Sequence, residues 1–371
     1  MNKVDQLQHR IAISLIKGIG PKLARNLIAY VGDESAVFMQ PKRILEKIPG
    51  IGPVLSAIIK KSDVLVRAEK EMAFIEKHGV TPLFFTDDQF PKRLSHCDDA
   101  PLMLYLKGKV DLDRAKVIGV VGTRRPTQSG KMHCEKLMEE LSGHYPQVVI
   151  ISGLAYGIDI CAHRSALKHI LMTYGVLAHG LDRIYPGMHR ETAKQMLEQG
   201  GLVTEFMSET NPDKPNFVRR NRIVAGLCDA LLVVESGIKG GALITARIAH
   251  SYNRDVLAFP GSPQEEVAKG CNYLIKRNIA ALIENVEDLE YALGWEREET
   301  RQPRQITIFN TFNSKEEEQL YNMLFENNEL TANELCLKCN LPVSKVSAGM
   351  LSLEFSGLVK CLPGNAFRVL K

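Results

Sequence analysis

Only one tryptophan occurs in 371 residues, and no apolar run approaches the ~18–20 residues of a membrane span. The first residues, MNKVDQLQHR, lack the apolar core of a secretory signal. The eight cysteines are scattered rather than spaced as a disulfide framework, which predicts a reducing, cytoplasmic setting with no membrane contact. Excess charge is small as well. With a formal net charge of +4, any affinity for a polyanion must come from where the cations lie. The hydrophobic share of 45% and charged share of 24% are those of a globular chain long enough for two or three domains.

The common signatures of nucleotide chemistry are absent too. The first strand–helix turn, GVVGTRRP, holds no G-x-G-x-x-G to let a pyrophosphate approach the backbone. Ser129-Gly130-Lys131 imitates a P-loop, but Met132 stands where Ser or Thr would bind magnesium and Arg125 where the first glycine belongs. Asp159 and His163 share one helix face, yet no further carboxylate or histidine completes a metal or acid–base site. Asp159 is read as holding helix N–H groups and His163 as hydrogen-bonded near the turn. Cys336 and Cys339 form a C-x-x-C without a second pair. The expectation is a protein with no metal, no cofactor and no catalytic residues.

What is present is a regular alternation from Val117 onward. Short Val/Ile-rich strands are expected at 117–122, 148–152, 173–178, 202–205, 230–235, 255–259 and 279–283. Helices are expected near 128–143, 159–171, 189–199, 219–227 and 242–253. Strands this short, bounded by Gly or Pro and separated by helices, give a doubly wound, Rossmann-like parallel sheet. Its turns are cationic and rich in free amides. Arg124 and Arg125 end the first strand with Ser129 as a hydroxyl donor, and Gly153 and Gly157 follow the second. Arg220, Asn221 and Arg222 are read as opening a helix, and Lys239, Gly240 and Gly241 end another strand. Helix N-termini and arginine forks suit phosphates, and such ligands gather at the carboxyl ends of the strands. Arginines at a helix N-terminus oppose the dipole, a conflict that a bound anion would relieve. Glu205 and Glu235 are carboxylates that orient these arginines. Tyr185 is either a stacking platform for a base or a loop aromatic, two readings of equal weight.

The flanks differ from this centre. Lys17-Gly-Ile-Gly-Pro (17–21) returns as Pro49-Gly-Ile-Gly-Pro (49–53), each copy reading helix, tight turn, proline in the first turn of a second helix. This is a tandem helix-hairpin-helix (SAM-like) module over 1–62, for which backbone contact with DNA and simple packing stand level. Lys17, Lys22, Arg25, Lys60 and Lys61 lean toward contact. Residues 63–296, with an extension at 63–116, form the Rossmann-like domain, and 297–313 a charged linker. Residues 314–371 read as a winged helix with a hairpin tip at Pro363-Gly364-Asn365. That last module has six Lys/Arg against seven Asp/Glu, so protein contact or a weak auxiliary role is preferred to DNA binding.

Assembled, these residues resemble the DprA/Smf family, the DNA-processing proteins of natural transformation. Its motifs are matched at Gly122–Arg124, at Ser129, at Ser152–His163, and at Gly180–Pro186. Further matches are Phe217–Leu227, Val233–Ala249, Pro260-Gly261 and Gly270–Ile275. The chain departs from the family at Met172, where a basic residue is usual, and at Ala178-His179, where a glycine is usual. The resemblance implies a cytoplasmic homodimer that binds and protects incoming single-stranded DNA. It also implies loading of RecA recombinase, with single-strand binding protein as a further partner. The implied contact set is Arg124, Arg125, Ser129, Gly153, Gly157, Arg220, Asn221, Arg222, Lys239, Gly241 and Asn272. Two other classes compete. A phosphoribohydrolase of the lysine-decarboxylase-like type would need the catalytic glutamate that closes a P-G-G-x-G-T-x-x-E turn, and the corresponding ESGIKGGALITAR has no acid at that place; an architectural duplex-bridging protein would act through its terminal modules.

Overall fold

The computed structural model describes residues 3–61, 63–297, 312, 314–327, 329–362 and 366–369. Residues up to 297 form one compact unit and those from 312 onward a second. Apart from 297 and 312, the expected linker lies outside the described residues, as does the expected hairpin tip at 363–365.

The repeated G-I-G-P segments fold as their sequence dictates. α1 (Lys3–Leu15) turns into α2 (Pro21–Val31), and after α3 (Glu34–Met39), α4 (Lys42–Leu45) turns into α5 (Pro53–Lys61). Each proline opens its helix, where its missing N–H has no partner to lose. Gly18 and Gly50 hold φ of 85° and 88°, the left-handed turn that a side chain would strain. α6 (Val64–His78) then leads to the sheet.

The expected boundary at 62 does not separate two packing units. Ile11, Ile13 and Leu27 are fully buried in one apolar cluster with Phe84, Met103 and Tyr105 of the sheet domain. Polar ties cross the same border. Arg10 pairs with Asp87 at 2.8 Å, and Arg25 donates to the Ala100 carbonyl at 2.9 Å.

Among the described residues, nine strands make one sheet: β1 (Thr81–Phe84), β2 (Met103–Gly108), β3 (Val117–Val121), β4 (Val149–Ser152), β5 (Met172–Val176), β6 (Gly201–Thr204), β7 (Ala230–Val233), β8 (Asp255–Ala258) and β9 (Ala281–Leu282). Their order is β1-β2-β6-β5-β4-β3-β7-β8-β9. From β6 to β9 all neighbours are parallel, while β1 and β2 add an antiparallel edge. The sheet is therefore mixed, and its doubly wound part is the parallel one.

Side chains alternate between two cores. Val117, Val121, Ile151 and Leu231 face one side, and Ile118, Val120, Ile150 and Leu232 the other. α11 (Lys214–Leu227), α12 (Gly241–Ser251) and α13 (Lys269–Lys276) cover the first, after the short α7 (Lys92–Ser95). α8 (Gln128–His144), α9 (Ile158–Lys168) and α14 (Val286–Leu293) cover the second. α10 (Arg190–Gln199) packs Ala193 and Met196 into the cluster shared with the N-terminal helices. The chain runs outward from β3 through β4, β5 and β6, then returns to place β7 against the other side of β3. That reversal opens a crevice at the carboxyl ends of β3 and β7.

The second unit contains α15 (Lys315–Asn327), β10 (Glu329–Thr331), α16 (Ala332–Cys339), α17 (Val343–Phe355), β11 (Val359–Leu362) and β12 (Ala366–Val369). Thr331 and Glu334 form a reciprocal cap at the start of α16. A three-stranded sheet in the order β10-β12-β11 completes a winged helix. Lys345, the lysine of α17, is paired with Glu316 at 2.8 Å.

Candidate nucleic-acid interface

One cavity, of about 510 Å3, lies at the β3–β7 reversal. The turn after β3 contributes Gly122, Thr123 and Arg124, the turn after β4 contributes Ala155 and Tyr156, and the first turn of α9 contributes Asp159. α11 supplies Lys214, Phe217, Arg220 and Asn221, and the start of α12 supplies Gly240, Gly241 and Thr245.

α11 begins at Lys214, five residues before the sequence reading put it. Asp213 is its N-cap residue and Pro215 sits in its first turn, where proline is tolerated. Arg220, Asn221 and Arg222 therefore lie mid-helix, and the expected conflict with the helix dipole is absent. What replaces it is burial.

Arg220 is 4% exposed and Arg222 9%, two residues apart on the same helix. Arg222 is fully committed: it pairs with Glu205 and donates to the Asp99 carbonyl. Arg219 reaches the same Glu205 oxygen at 3.3 Å. Arg222 thus fastens α11 and does not face the cavity, so its assignment to DNA contact is corrected. Arg220 differs. Its Nη1 donates to the Val176 carbonyl at 2.8 Å, its Nε has no partner, and no described carboxylate pairs with it directly. Burial pushes its pKa down, partly offset by the nearby charge of Asp159. A buried guanidinium without an ion-pair partner is costly and is stabilised by an arriving anion.

Asp159 cannot supply that pairing in full. Its carboxylate accepts from the Gly153 and Ala155 amides at 3.2 and 3.4 Å, and burial pushes its pKa up despite Arg220. The Gly153 amide is therefore occupied, and its role as a phosphate donor is corrected. Glycine is needed there for space, because a Cβ would lie 1.5 Å from the Arg220 Nη1. Gly157 has φ of 81° and ψ of −123°, and a Cβ would meet the Thr123 carbonyl at 2.1 Å. It lets the β4–α9 turn close onto the β3 turn.

The other residues divide similarly. Arg124 is exposed, with its guanidinium 5.6 Å from the Phe217 ring. Asn221 and Gly241 line the cavity as expected. Arg125 and Lys239 are exposed beside lining residues without lining the cavity themselves. Ser129 opens instead on a separate cavity of about 280 Å3 with Glu235 and Phe259, so it is not brought to Arg124. Glu235 accepts from the Thr127 amide at 2.9 Å and from its hydroxyl, which fixes the start of α8 and orients no arginine. Asn272 bonds both the amide and carbonyl of Gly261, at 3.2 and 2.8 Å, and is a loop fastener. Lys214 and Tyr156 were missed in the sequence. Tyr185 is 44% exposed and stands edge-on to Phe217 at 6.1 Å, beside the cavity.

Two histidines are structural. The His163 Nδ1 contacts the Thr173 hydroxyl at 2.7 Å, and that hydroxyl donates to the Ile150 carbonyl, so Nδ1 carries the proton and Nε2 is bare. Burial, then Arg220 and His189, push its pKa down to about 3. The unfolded chain gains a proton near the ordinary 6.5 that the folded chain refuses until about 3. Stability from this group is thus full above 6.5 and falls by up to about 1.4 kcal/mol per pH unit below it. His163→Gln should flatten that decline in urea titrations at about pH 5 to 7; an unchanged slope would show that the ring is not buried neutral. His179, at the departure from the family pattern, contacts the Gly180 carbonyl and accepts from the Tyr185 amide at 3.2 Å, pinning that loop. Among the described residues no group of three His, Cys, Asp or Glu is placed to hold a metal, and no helix is long and apolar enough to cross a membrane.

The family model described as DNA recombination-mediator protein A matches residues 81–294, and the DprA winged helix domain matches 312–365. Protein Smf from Synechocystis sp. is 33% identical over 96% of this chain and 97% of its own length. The X-ray structure of DNA processing protein A from Streptococcus pneumoniae aligns with a TM-score of 0.67 at 29% identity, covering 76% of this chain and 97% of that one. DNA processing protein A from Helicobacter pylori, whose structure concerns single-stranded DNA binding, aligns with a TM-score of 0.53 at 29% identity. It covers 59% of this chain and 97% of its own.

Proposed function

The chain belongs to the DNA recombination-mediator protein A (DprA/Smf) family, and from that premise we propose that it binds single-stranded DNA through the β3–β7 cavity. The observation that carries this reading is the contrast on α11: Arg222 is buried and ion-paired, Arg220 buried and unpaired at a cavity wall. Arg124, Lys214 and the open amides at the start of α12 add positive potential around it. Tyr156, Phe217 and Tyr185 offer ring faces or edges for exposed bases, which a duplex would hide. Protection of incoming strands in the cytoplasm, loading of RecA, cooperation with single-strand binding protein and action as a homodimer belong to the same proposal, on the family resemblance. The chain acts by binding rather than by catalysis.

Competition in fluorescence anisotropy tests the reading. A labelled oligothymidine should be displaced by unlabelled single strands of varied sequence with similar efficiency, and far less by duplex of equal length. Equal or tighter duplex binding would overturn it. Removing 305–371 should leave affinity within a few fold, because that module is slightly acidic and Lys345 is already paired.

A further inference from the structure

A second cavity, of about 530 Å3, adjoins the first and shares Arg124 and Tyr156 with it. Its walls are the facing stripes of two helices. α9 and its N-cap residue contribute Gly157, Cys161, Arg164 and Lys168, spaced at successive turns along one face. α8 contributes Gln128, Lys131 and Glu135 in the same way. Four cations line the groove against the single carboxylate of Glu135, which Lys168 already holds. Lys131 has no anionic partner among the described residues, and Arg164 bonds only the neutral Thr192 hydroxyl, at 3.2 Å. Arg124, Lys131 and Arg164 have no ion-pair partner among the described residues, and the groove opens where the first cavity ends.

We propose that the single strand bound in the first cavity continues past Arg124 and Tyr156 into this α8–α9 groove, where Lys131, Arg164 and Lys168 hold its next phosphates. The inference rests on the reading proposed above and extends its footprint. Gly157 to Lys168 spans about 16 Å of helix, enough for a few further nucleotides. Charge complementarity and continuity with the first cavity select a strand over a free anion, because a line of cations along a helix face matches a line of phosphates. Lys131, the lysine of the defective P-loop, thereby acquires a role that nucleotide hydrolysis never gave it.

The groove contains its own reporter. Cys161 lines it, and a hydrogen bond from the Cys134 thiol holds the Cys161 thiol below its ordinary range, which favours the reactive thiolate. The full chain would be saturated with oligothymidines of about 4 or about 15 nucleotides, lengths that bracket common single-strand sites. It would then be treated with iodoacetamide, and alkylation of Cys161 followed by peptide mass spectrometry. The longer strand should slow alkylation about tenfold relative to the free protein and the short strand much less, since only the former reaches the groove. Arg164→Glu should reduce the affinity advantage of the long strand over the short by about tenfold, as expected for reversing one phosphate contact. If both strands bind and neither protects Cys161, the groove is overturned and the first cavity stands. If neither strand binds, the parent reading fails and the groove with it.

Discussion

Arg220→Met is expected to weaken oligothymidine binding by about 1–3 kcal/mol, roughly 5- to 150-fold, while leaving the urea midpoint unchanged or raised. Arg222→Met, two residues along the same helix, should do the reverse. Arg220 is a buried cation without a direct ion-pair partner, so its removal relieves a desolvation cost and forfeits a ligand contact. The lost hydrogen bond to the Val176 carbonyl costs about 1 kcal/mol, and the relief offsets it. Removing Arg222 leaves Glu205 buried with one weaker partner, Arg219, and should cost about 3 kcal/mol or more of stability. Anisotropy and urea unfolding on both variants give four numbers, and the account requires the crossed pattern. Two variants that lose binding and stability together would contradict it. Gly153→Ala should imitate Arg220→Met, because the new methyl displaces the guanidinium from its seat.

Deleting residues 1–62 is expected to unfold the sheet domain or leave it aggregating. Phe84, Met103 and Tyr105 would lose the cover of Ile11, Ile13 and Leu27. At about 1.5–3 kcal/mol for each large apolar side chain exposed, the loss approaches the 5–15 kcal/mol that stabilises a typical domain. Near-UV circular dichroism of 63–371 should show lost aromatic packing. A cooperative unfolding transition at the full-length midpoint would show the helical module to be dispensable. Any loss of DNA affinity in this deletion reports on folding first, so the lysines of the two hairpins must be tested by point substitution.

The strands and helices were legible because each is short, apolar at period 2 or 3.6, and bounded by Gly, Pro or a cap. α8 and α10 fall within a residue of the expected 128–143 and 189–199. α11 was read too short because Asp213-Lys-Pro looks like loop, although Pro215 in a first turn is compatible with helix. The antiparallel edge of β1 and β2 was not foreseen, since pairing direction depends on where a strand docks. Site residues were harder. Whether an arginine near Phe217 meets phosphate or a protein carboxylate depends on Glu205 and Asp99, and for Asn272 on Gly261, partners distant in sequence or recognisable only once folded. Ser129 follows Arg124 by five residues, yet the turn carries it to another cavity. Tyr156 and Lys214 carry no charge pattern or repeat that marks them, and only the β3–β7 reversal brings them together.

The salt dependence of binding tests the central claim most directly, because it counts neutralised phosphates without reference to any structure. For single strands the slope of log affinity against log salt is about −0.7 per phosphate contact. Arg124→Ala combined with Arg220→Met should flatten the wild-type slope by about 1.4, with affinity falling alongside it. A slope and affinity matching wild type in the folded double variant would show that the strand is held elsewhere and that the β3–β7 cavity is not its site.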